Sequence, residues 1–475
     1  MEFETVIGLE VHAQLLTATK IFCGCRSVFG DGPNTHGCPV CLGLPGSLPV
    51  LNRKAVEMAV RMGLAVGCSI ATKSIFARKN YFYPDLPKGY QISQYDMPLC
   101  ERGNLPIVLD GIARTIRITR IHLEEDAGKL IHDQGPDSLF DVNRCGTPLI
   151  EIVSEPDMRN PREAYAYLTG IKQILEYLAI CDCNMEEGSL RCDANVSLRP
   201  FGSTRLGTKT ELKNMNTFRG VEKAIEYEVG RQKEVLETGG HVVQQTFLWD
   251  PQNNQTVPMR TKEDAHDYRY FPEPDLVPLM VDENRIASLK KDLPELPRQK
   301  QNRFISDYRI TAYMAEVLTA SRPMAQYFEA TLSFCNDARL AANWIMGEVL
   351  RLQKEKNAEV GALRITPQRL GKLLNLVAGN ALSATAAKKV FDLVEETDKD
   401  PEQIVEEQGL KQISDINVLE NVVKEIVGKS PAEVARLKAG DQKLMGYFVG
   451  QAMKATQGKG NPKEINKLVL KYVAQ

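Results

Sequence analysis

The sequence predicts an α+β protein: a mixed sheet with large loops over residues 1–292, an all-helical stretch over 293–400 and a small helical tail over 401–475. Three observations predict it. Short runs of alternating apolar and polar residues fill the first part, separated by turn signals such as Gly30-Asp31-Gly32-Pro33 and Asn104-Leu105-Pro106. A Pro-rich passage, Leu293-Pro294-Glu295-Leu296-Pro297, then interrupts the pattern, because each proline removes a backbone donor and restricts its predecessor. Beyond it, helix-start signals recur at regular intervals.

Composition bounds the function. The 475 residues leave room for about three domains at about 150 residues each. With 43% hydrophobic and 25% charged residues the chain reads as an ordinary globular protein, and no stretch reaches the apolar length that spans a membrane. The N-terminal Met-Glu-Phe-Glu-Thr has neither a basic start nor a signal-like apolar segment, so the expectation is a cytoplasmic protein with no membrane partner. A formal charge of −2 excludes a global basic signature, and any nucleic-acid contact must be local.

The first strand spans Val6 to Leu15. Side chains alternate across a strand, so Glu10, His12 and Gln14 share one face where a core would be apolar. The same anomaly recurs downstream. Glu151 lies between Ile150 and Ile152. Ser189, Arg191, Asp193, Asn195 and Ser197 oppose Leu190, Cys192, Ala194, Val196 and Leu198, and Glu211 pairs with Lys213. Hard carboxylates with an imidazole suit Mg2+ or Mn2+ that also takes phosphate oxygens, while nearby cations neutralise the remaining phosphate charge. The candidate ligands are Glu10, His12, Glu125, Glu151, Asp193 and Glu211, with Arg191, Arg205, Lys209 and Lys213 as phosphate partners. Any one of these residues alone reads more readily as a solvated or structural side chain; their recurrence on successive strands is what favours a site.

Cys23-Gly24-Cys25 and Cys38-Pro39-Val40-Cys41 form two knuckle-like pairs, a spacing that lets two tight turns present four thiolates to one tetrahedral zinc. The other reading is four small buried hydrophobes, and the first pair is CxC instead of the commoner CxxC. Cys181, Cys183 and Cys192 form a looser trio best read as core.

In the helical part, Thr366-Pro367, Asp400-Pro401, Ser430-Pro431 and Asn461-Pro462 each place an N-cap acceptor before a preset first helical residue, and Glu433 and Glu464 come near to completing capping boxes. Apolar spacing supports the helices through Leu370, Leu373, Leu374 and Val377, through Leu419, Val422, Val423, Ile426 and Val427, and through Ile465, Leu468, Val469 and Tyr472. From residue 429 onward nine Lys or Arg stand against three acids, and the loop Thr456 to Pro462 is basic. That loop reads either as a phosphate-backbone contact or as a solvated turn.

Absences narrow the chemistry further. The chain has no GxxxxGK[ST] loop, no strand-associated GxGxxG, no GxSxG elbow and no Ser-Gly-rich amidase signature. If ammonia is used, another chain must release it.

Long motifs then carry a resemblance. VIGLEVHAQ (Val6 to Gln14), HGCPVCLGLPGSLPVLN (His36 to Asn52), RKNYFYPDLPKGYQISQYD (Arg78 to Asp96), HLEEDAGK (His122 to Lys129) and DYRYFPEPDL (Asp267 to Leu276) resemble the B subunits of bacterial aspartyl/glutamyl-tRNA amidotransferases over nearly the whole chain. The resemblance implies a cradle related to glutamine synthetase over 1–292, a helical domain over 293–400 and a tRNA-contacting tail over 401–475. It implies ATP-dependent phosphorylation of the side-chain carboxylate of misacylated Glu-tRNA(Gln) or Asp-tRNA(Asn), followed by displacement of phosphate by ammonia. By resemblance His12, Glu125 and Glu151 hold Mg2+, with Glu10, Asp193 and Glu211 nearby; Cys23, Cys25, Cys38 and Cys41 hold structural zinc. From their place in polar motifs Lys79, Lys88 and Glu125 are expected to line the ammonia route into the cradle, and from the local charge bias Lys454, Lys459 and Lys463 are expected to meet tRNA. An amidase A subunit and a small C subunit would complete a heterotrimer. The aromatic, Pro-rich motifs at Arg78 to Asp96 and Asp267 to Leu276 read equally as stacking platforms for the terminal adenosine of tRNA and as buttresses of the cradle. Two other readings stand beside this one: a non-catalytic tRNA-binding scaffold whose carboxylate face is a salt-bridge network, and an ATP-dependent ligase for a free amino acid.

Overall fold

The computed structural model describes residues 2–131, 135–259, 269–412, 416–456 and 459–474. Asp267 and Tyr268 of one quoted motif, and Gln457 and Gly458 of the basic loop, lie outside the described residues. The chain divides into two compact units, Met1–Leu296 and Pro297–Gln475.

The first unit is built on a nine-stranded mixed sheet. In spatial order its strands are Gln255–Pro258, Thr246–Asp250, Thr210–Lys213, Leu190–Pro200, Phe3–Gln14, Pro148–Ser154, Ile112–Glu125, Cys100–Leu109 and Ser69–Ile70. All neighbours run antiparallel except Thr210–Lys213 with Thr246–Asp250, which are parallel. Phe3–Gln14 is the central strand. Its register pairs His12 with Glu151 on one side and with Arg191 on the other, and Glu10 with Asp193. Glu151 is in turn opposite His122, and Asn195 opposite Glu211. Residues opposite one another in a ladder share a face, so these polar groups form one continuous surface.

The other face is apolar and buried. Ile7, Leu9, Val11 and Ala13 of the central strand join Leu190, Cys192, Ala194 and Val196, with Ile150, Ile152, Ile121 and Leu123, in a single core. Helices Arg53–Ala65, Pro161–Tyr177 and Phe218–Glu237 close it from that side, contributing Met62, Tyr167, Ile171, Val221 and Ile225. Full burial of each such aliphatic side chain contributes about 1.5–3 kcal/mol. Each helix begins where a polar side chain satisfies an otherwise unpaired N–H: Asn52 accepts from Lys54 N, Asn160 from Glu163 N with Pro161 next, and Thr217 from Gly220 N. Cys181 and Cys183 lie in this core with Cys192, as expected of the trio. A three-stranded sheet, Arg269–Pro272, Ala77–Asn80 and Tyr90–Ser93, stands beside the main one.

The second unit is helical and has two cores. Phe304 to Val405 line the first, including Leu370, Leu373 and Leu374; Leu419, Val423, Phe448, Ile465, Leu468 and Val469 line the second. Because Ile404 and Val405 belong to the first core, the helix Pro401–Glu407 packs with the group that precedes it. Thr366 caps as expected, accepting from Arg369 N. A capping box forms at Asp400 with Gln403, not at the two glutamates named from the sequence. Ser430 makes no side-chain cap bond: it is the single residue between Ile416–Lys429 and Pro431–Lys438, and its ψ of 55° is not the extended conformation a cap needs. Asn461 accepts from Lys463 N, but the Glu464 carboxylate turns to Lys467.

Candidate active site and metal centres

Alternation along the strand Ile112–Glu125 sets which acids reach the polar face. Ile121 and Leu123 point into the core, so Arg120, His122 and Glu124 point the other way, toward Glu151 and His12. His12 Nε2 lies 3.3 Å from Glu151 Oε2 and 3.8 Å from Glu124 Oε1. Ligand atoms of His12, Glu124 and Glu151 all fall within 4.8 Å of one another. The expectation that Glu125 joins His12 and Glu151 is therefore corrected: Glu124 stands there. Glu125 turns to the other side, pairs with Lys88 and accepts from Ile92 N at 2.8 Å. His122, Glu124 and Arg120 were not singled out from the sequence, although the Ile121/Leu123 alternation held the signal.

The donor set fits a hard divalent cation. Around a six-coordinate ion with bonds of about 2.1 Å, adjacent ligands lie about 3 Å apart and opposite ones about 4 Å, which brackets the spacings here. Burial works against ionisation of Glu151, but His122, His12 and Lys79 outweigh it and hold its carboxyl below the usual range. Burial likewise disfavours charged His12, yet Glu151 and Glu124 raise its pKa. Glu151 and His12 thus favour each other's charged form.

A second acidic group, Glu10, Asp193 and Glu211, sits one register step along. Lys213 Nζ is 2.6 Å from Asp193 and 3.2 Å from Glu211, and Asn195 donates to Glu10 at 3.0 Å. Burial, then the charges of Glu151, Glu211 and Asp193, push the Glu10 pKa up. Arg191 is held on the same face by Asp126, 2.9 Å away, which also accepts from Gln14 at 2.7 Å. Arg205 and Lys209, by contrast, are exposed on the segment before Thr210–Lys213, and no contact joins them to either acidic group among the described residues.

Beside the cradle face, Ser93 of the small sheet donates to Glu124 at 3.2 Å, and Lys79 is near enough to act on Glu151. Arg78 is committed to internal packing, with Glu273 at 2.7 Å and the Tyr90 ring 4.3 Å away. Phe82 is 94% exposed, and Tyr95 stacks on Tyr270 with centroids 4.1 Å apart. Some aromatics of these motifs therefore buttress the small sheet while others face solvent. Lys88, Tyr90 and Glu125 form one wall of a cavity of about 210 Å³ whose other wall includes Cys23 and Cys41.

The sulfurs of Cys23, Cys25, Cys38 and Cys41 come within 4.8 Å of one another. Zinc–sulfur bonds of about 2.3 Å at tetrahedral angles put sulfurs about 3.8 Å apart, and Cys38 Sγ and Cys41 Sγ are 3.8 Å apart. Lys20 adds an independent sign. Its ammonium is wholly buried and meets the carbonyls of His36 and Val142 and, at 3.7 Å, Cys41 Sγ. A buried cation needs a counter-charge, and a thiolate cluster supplies one. A hydrogen bond from Cys23, with Lys20 close by, pulls the Cys41 thiol down to about 4, while the same bond raises Cys23 and burial pushes Cys25 up to about 11. The residues fit a zinc site with four cysteine ligands.

In the tail, Lys454 and Lys463 are exposed and Lys459 half-buried, at the ends of Lys443–Ala455 and Pro462–Ala474 that the basic loop joins. Among the described residues no helix is long and apolar enough to cross a membrane.

Comparison with known proteins completes the site. The family model described as the GatB/GatE catalytic domain matches residues 5–287, and one described as the GatB domain matches 326–473. The B subunit of the aspartyl/glutamyl-tRNA(Asn/Gln) amidotransferase of Thermodesulfovibrio yellowstonii is 55% identical over 475 residues, covering all of both chains. Proteins of the same description from Chlorobium chlorochromatii (55% identical over 471 residues, 99% of both chains) and Syntrophotalea carbinolica (54% over 469 residues, 99% and 98%) match as closely. With its sheet, its polar face and its cysteine cluster on residues that these matches span, the chain belongs to the family of tRNA amidotransferase B subunits.

Proposed function

We propose that this chain performs the ATP-dependent amidation of misacylated Glu-tRNA(Gln), Asp-tRNA(Asn) or both, through a phosphorylated side-chain carboxylate, with ammonia delivered by a glutaminase partner. The observation that carries the reading is the polar face itself: two acidic clusters and their cations on one side of a sheet whose other side is core. Such a face suits two anions, a nucleotide phosphate and a carboxylate, that must be brought together against their repulsion.

His12, Glu124 and Glu151 would hold Mg2+ or Mn2+, which when bound supplies charge neutralisation for the γ-phosphoryl group and the attacking carboxylate. The chain's own cations do the rest. Lys79, Arg120 and Arg191 surround that cluster, and Lys213 lies between Asp193 and Glu211. They align the substrate carboxylate oxygen on the γ-phosphorus, so that the bond to ADP breaks as the acyl phosphate forms. Ammonia then attacks the carbonyl carbon and inorganic phosphate leaves. The attacking nitrogen must lose a proton, and Glu10, its pKa raised by burial and by neighbouring acids, is suited to take it. Glu125 and Lys88 serve the ammonia route in place of the metal, beside the cavity they line, and Lys79 serves it near Glu151.

The remaining assignments follow the same reading. Cys23, Cys25, Cys38 and Cys41 hold a structural zinc, Lys454, Lys459 and Lys463 meet the tRNA backbone, and Phe82 with the Tyr95–Tyr270 pair stack on its terminal adenosine. An amidase A subunit and a small C subunit complete a heterotrimer in the cytoplasm; the first unit acts as cradle, the helices through Pro401–Glu407 as helical domain and those from Ile416 onward as tail, which moves the boundaries expected at 292/293 and 400/401 a few residues along the chain.

The test is ADP release by the chain reconstituted with its amidase partner, with and without Glu-tRNA(Gln), beside a Glu151→Ala variant. Release that needs the misacylated tRNA and collapses in the variant is expected. Release indifferent to tRNA would favour a free-amino-acid ligase, and absence of release would favour the scaffold.

A further inference from the structure

His122 stands out as a buried titratable group that the proposed chemistry leaves without a task. It is 3% exposed and directly opposite Glu151 in the sheet. Its Nε2 lies 3.6 Å from Glu151 Oε2 and 3.8 Å from Glu124 Oε2. His12, from the neighbouring side, approaches the same Glu151 oxygen and the other oxygen of Glu124. Two imidazoles thus bracket two carboxylates. By distance alone both could be metal ligands.

The far side of the ring separates them. Arg120 Nε donates to His122 Nδ1 at 3.4 Å. A guanidinium has donors only and stays protonated in proteins, so Nδ1 must present its lone pair to Arg120. The ring proton is then on Nε2, aimed between the carboxylates. A nitrogen that carries its proton has no lone pair for a metal. The Arg120 guanidinium also reaches toward the remaining Glu151 oxygen, Oε1, at 4.0 Å, so Arg120 and His122 address both oxygens of that carboxylate. From the side of the small sheet, Ser93 donates to Glu124 Oε2.

We propose that His122 is a positioning residue and not a ligand: fixed by Arg120 as the Nε2–H tautomer, it aims that N–H at Glu124 and Glu151 and orients the two carboxylates toward the cation. Outer partners of this kind set the direction and basicity of ligands they touch. His12 is then the one imidazole of the site, and the ligand set is one nitrogen with two carboxylates. That set, with the rest of the shell left to water and phosphate oxygens, is the kind that Mg2+ and Mn2+ accept, whereas two imidazoles would shift preference toward later transition metals.

The inference rests on the metal reading of the site given above. Its test uses Mn2+ alone, titrated into the full chain with the cysteine cluster loaded with zinc. Affinity is read from the free-ion electron paramagnetic resonance signal, and bound imidazole from nitrogen couplings in the pulsed spectrum. One imidazole nitrogen is expected in the wild-type protein, and it persists in His122→Leu and His122→Gln. Mn2+ affinity should fall about 10–100-fold in His122→Leu and recover in large part in His122→Gln, whose amide nitrogen restores a donor. Two imidazole couplings in the wild type, one of them lost in His122→Gln, would make His122 a ligand and overturn the proposal. Unchanged affinity in His122→Leu would overturn it as well while leaving the metal reading intact. A wild-type chain that binds no Mn2+ would overturn both.

Discussion

Replacing Asp126 with asparagine should destabilise the first unit by about 2–3 kcal/mol. Asp126 is 4% exposed, and its carboxylate accepts from Arg191 Nη2 at 2.9 Å, Gln14 Nε2 at 2.7 Å and Ala127 N at 2.9 Å. Removing one partner of a buried, hydrogen-bonded charge pair costs about 3–5 kcal/mol. Asparagine keeps one acceptor oxygen, and the Arg191 side chain is 32% exposed, which together lower the expected loss to about 2–3 kcal/mol. The two tryptophans make the assay specific, because Trp249 is buried in the first unit and Trp344 in the second. In a Trp344→Phe background, urea unfolding followed by fluorescence reports on the first unit alone. A double-mutant cycle with Arg191→Met should give a coupling above about 1 kcal/mol; one below about 0.5 kcal/mol, the ordinary scatter of independent sites, would refute the pairing. The pH dependence has a fixed sign. Burial opposes ionisation of Asp126, but Arg191, Arg144 and Gln14 overcome it and hold its pKa below the usual value. Its stabilisation is therefore complete above the unfolded value of about 3.9 and is lost as the pH falls through the native one. The asparagine variant should lack that acid-side loss.

Three further outcomes are expected. Cys25→Ser should lower the zinc content of the purified chain and speed amide exchange over residues 20–50, since a structural zinc contributes on the order of 10 kcal/mol; full zinc content with unchanged exchange would count against the four-cysteine site. Lys79→Met in the reconstituted complex should leave glutamine hydrolysis running while amidation falls, and preserved coupling of the two rates would remove Lys79 from the ammonia route. Replacing Lys454, Lys459 and Lys463 together by alanine should weaken tRNA binding and flatten its salt dependence by about 2 in log–log slope, at about 0.7 for each phosphate no longer neutralised; an unaltered slope would place the tRNA interface elsewhere.

The polar face was legible because alternation needs no knowledge of strand order. Val11 and Ala13 between Glu10, His12 and Gln14, or Cys192 and Ala194 between Arg191, Asp193 and Asn195, sort core from site by parity alone. What parity could not do was choose within Glu124-Glu125-Asp126, three successive acids at a strand end. The structure sends Glu124 to His12, Glu125 to Lys88 and Asp126 to Arg191. Those partners come from distant strands and loops, and nothing in the local pattern says which will be adjacent. Arg205 and Lys209, expected as phosphate partners, lie on a loop where alternation no longer sets direction. The helix starts were legible at Thr366, Asp400 and Asn461 because caps are local chemistry. Ser430 failed as a side-chain cap because the preceding helix, Ile416–Lys429, ends against it.

The central strand places chemistry and core on alternate residues for its whole length, and this couples the two in a way no single contact does. A slip of one residue against either neighbour would turn Glu10, His12 and Gln14 into the apolar layer and expose Leu9, Val11 and Ala13 to the cradle. That misaligned sheet would bury several charges without partners, a cost well beyond the few kcal/mol by which domains are stable. Folding therefore proofreads the site: any chain that reaches the packed state has already brought its two clusters into alignment. An insertion or deletion within Phe3–Gln14 should be met by loss of the folded protein, not by a folded protein with a displaced site.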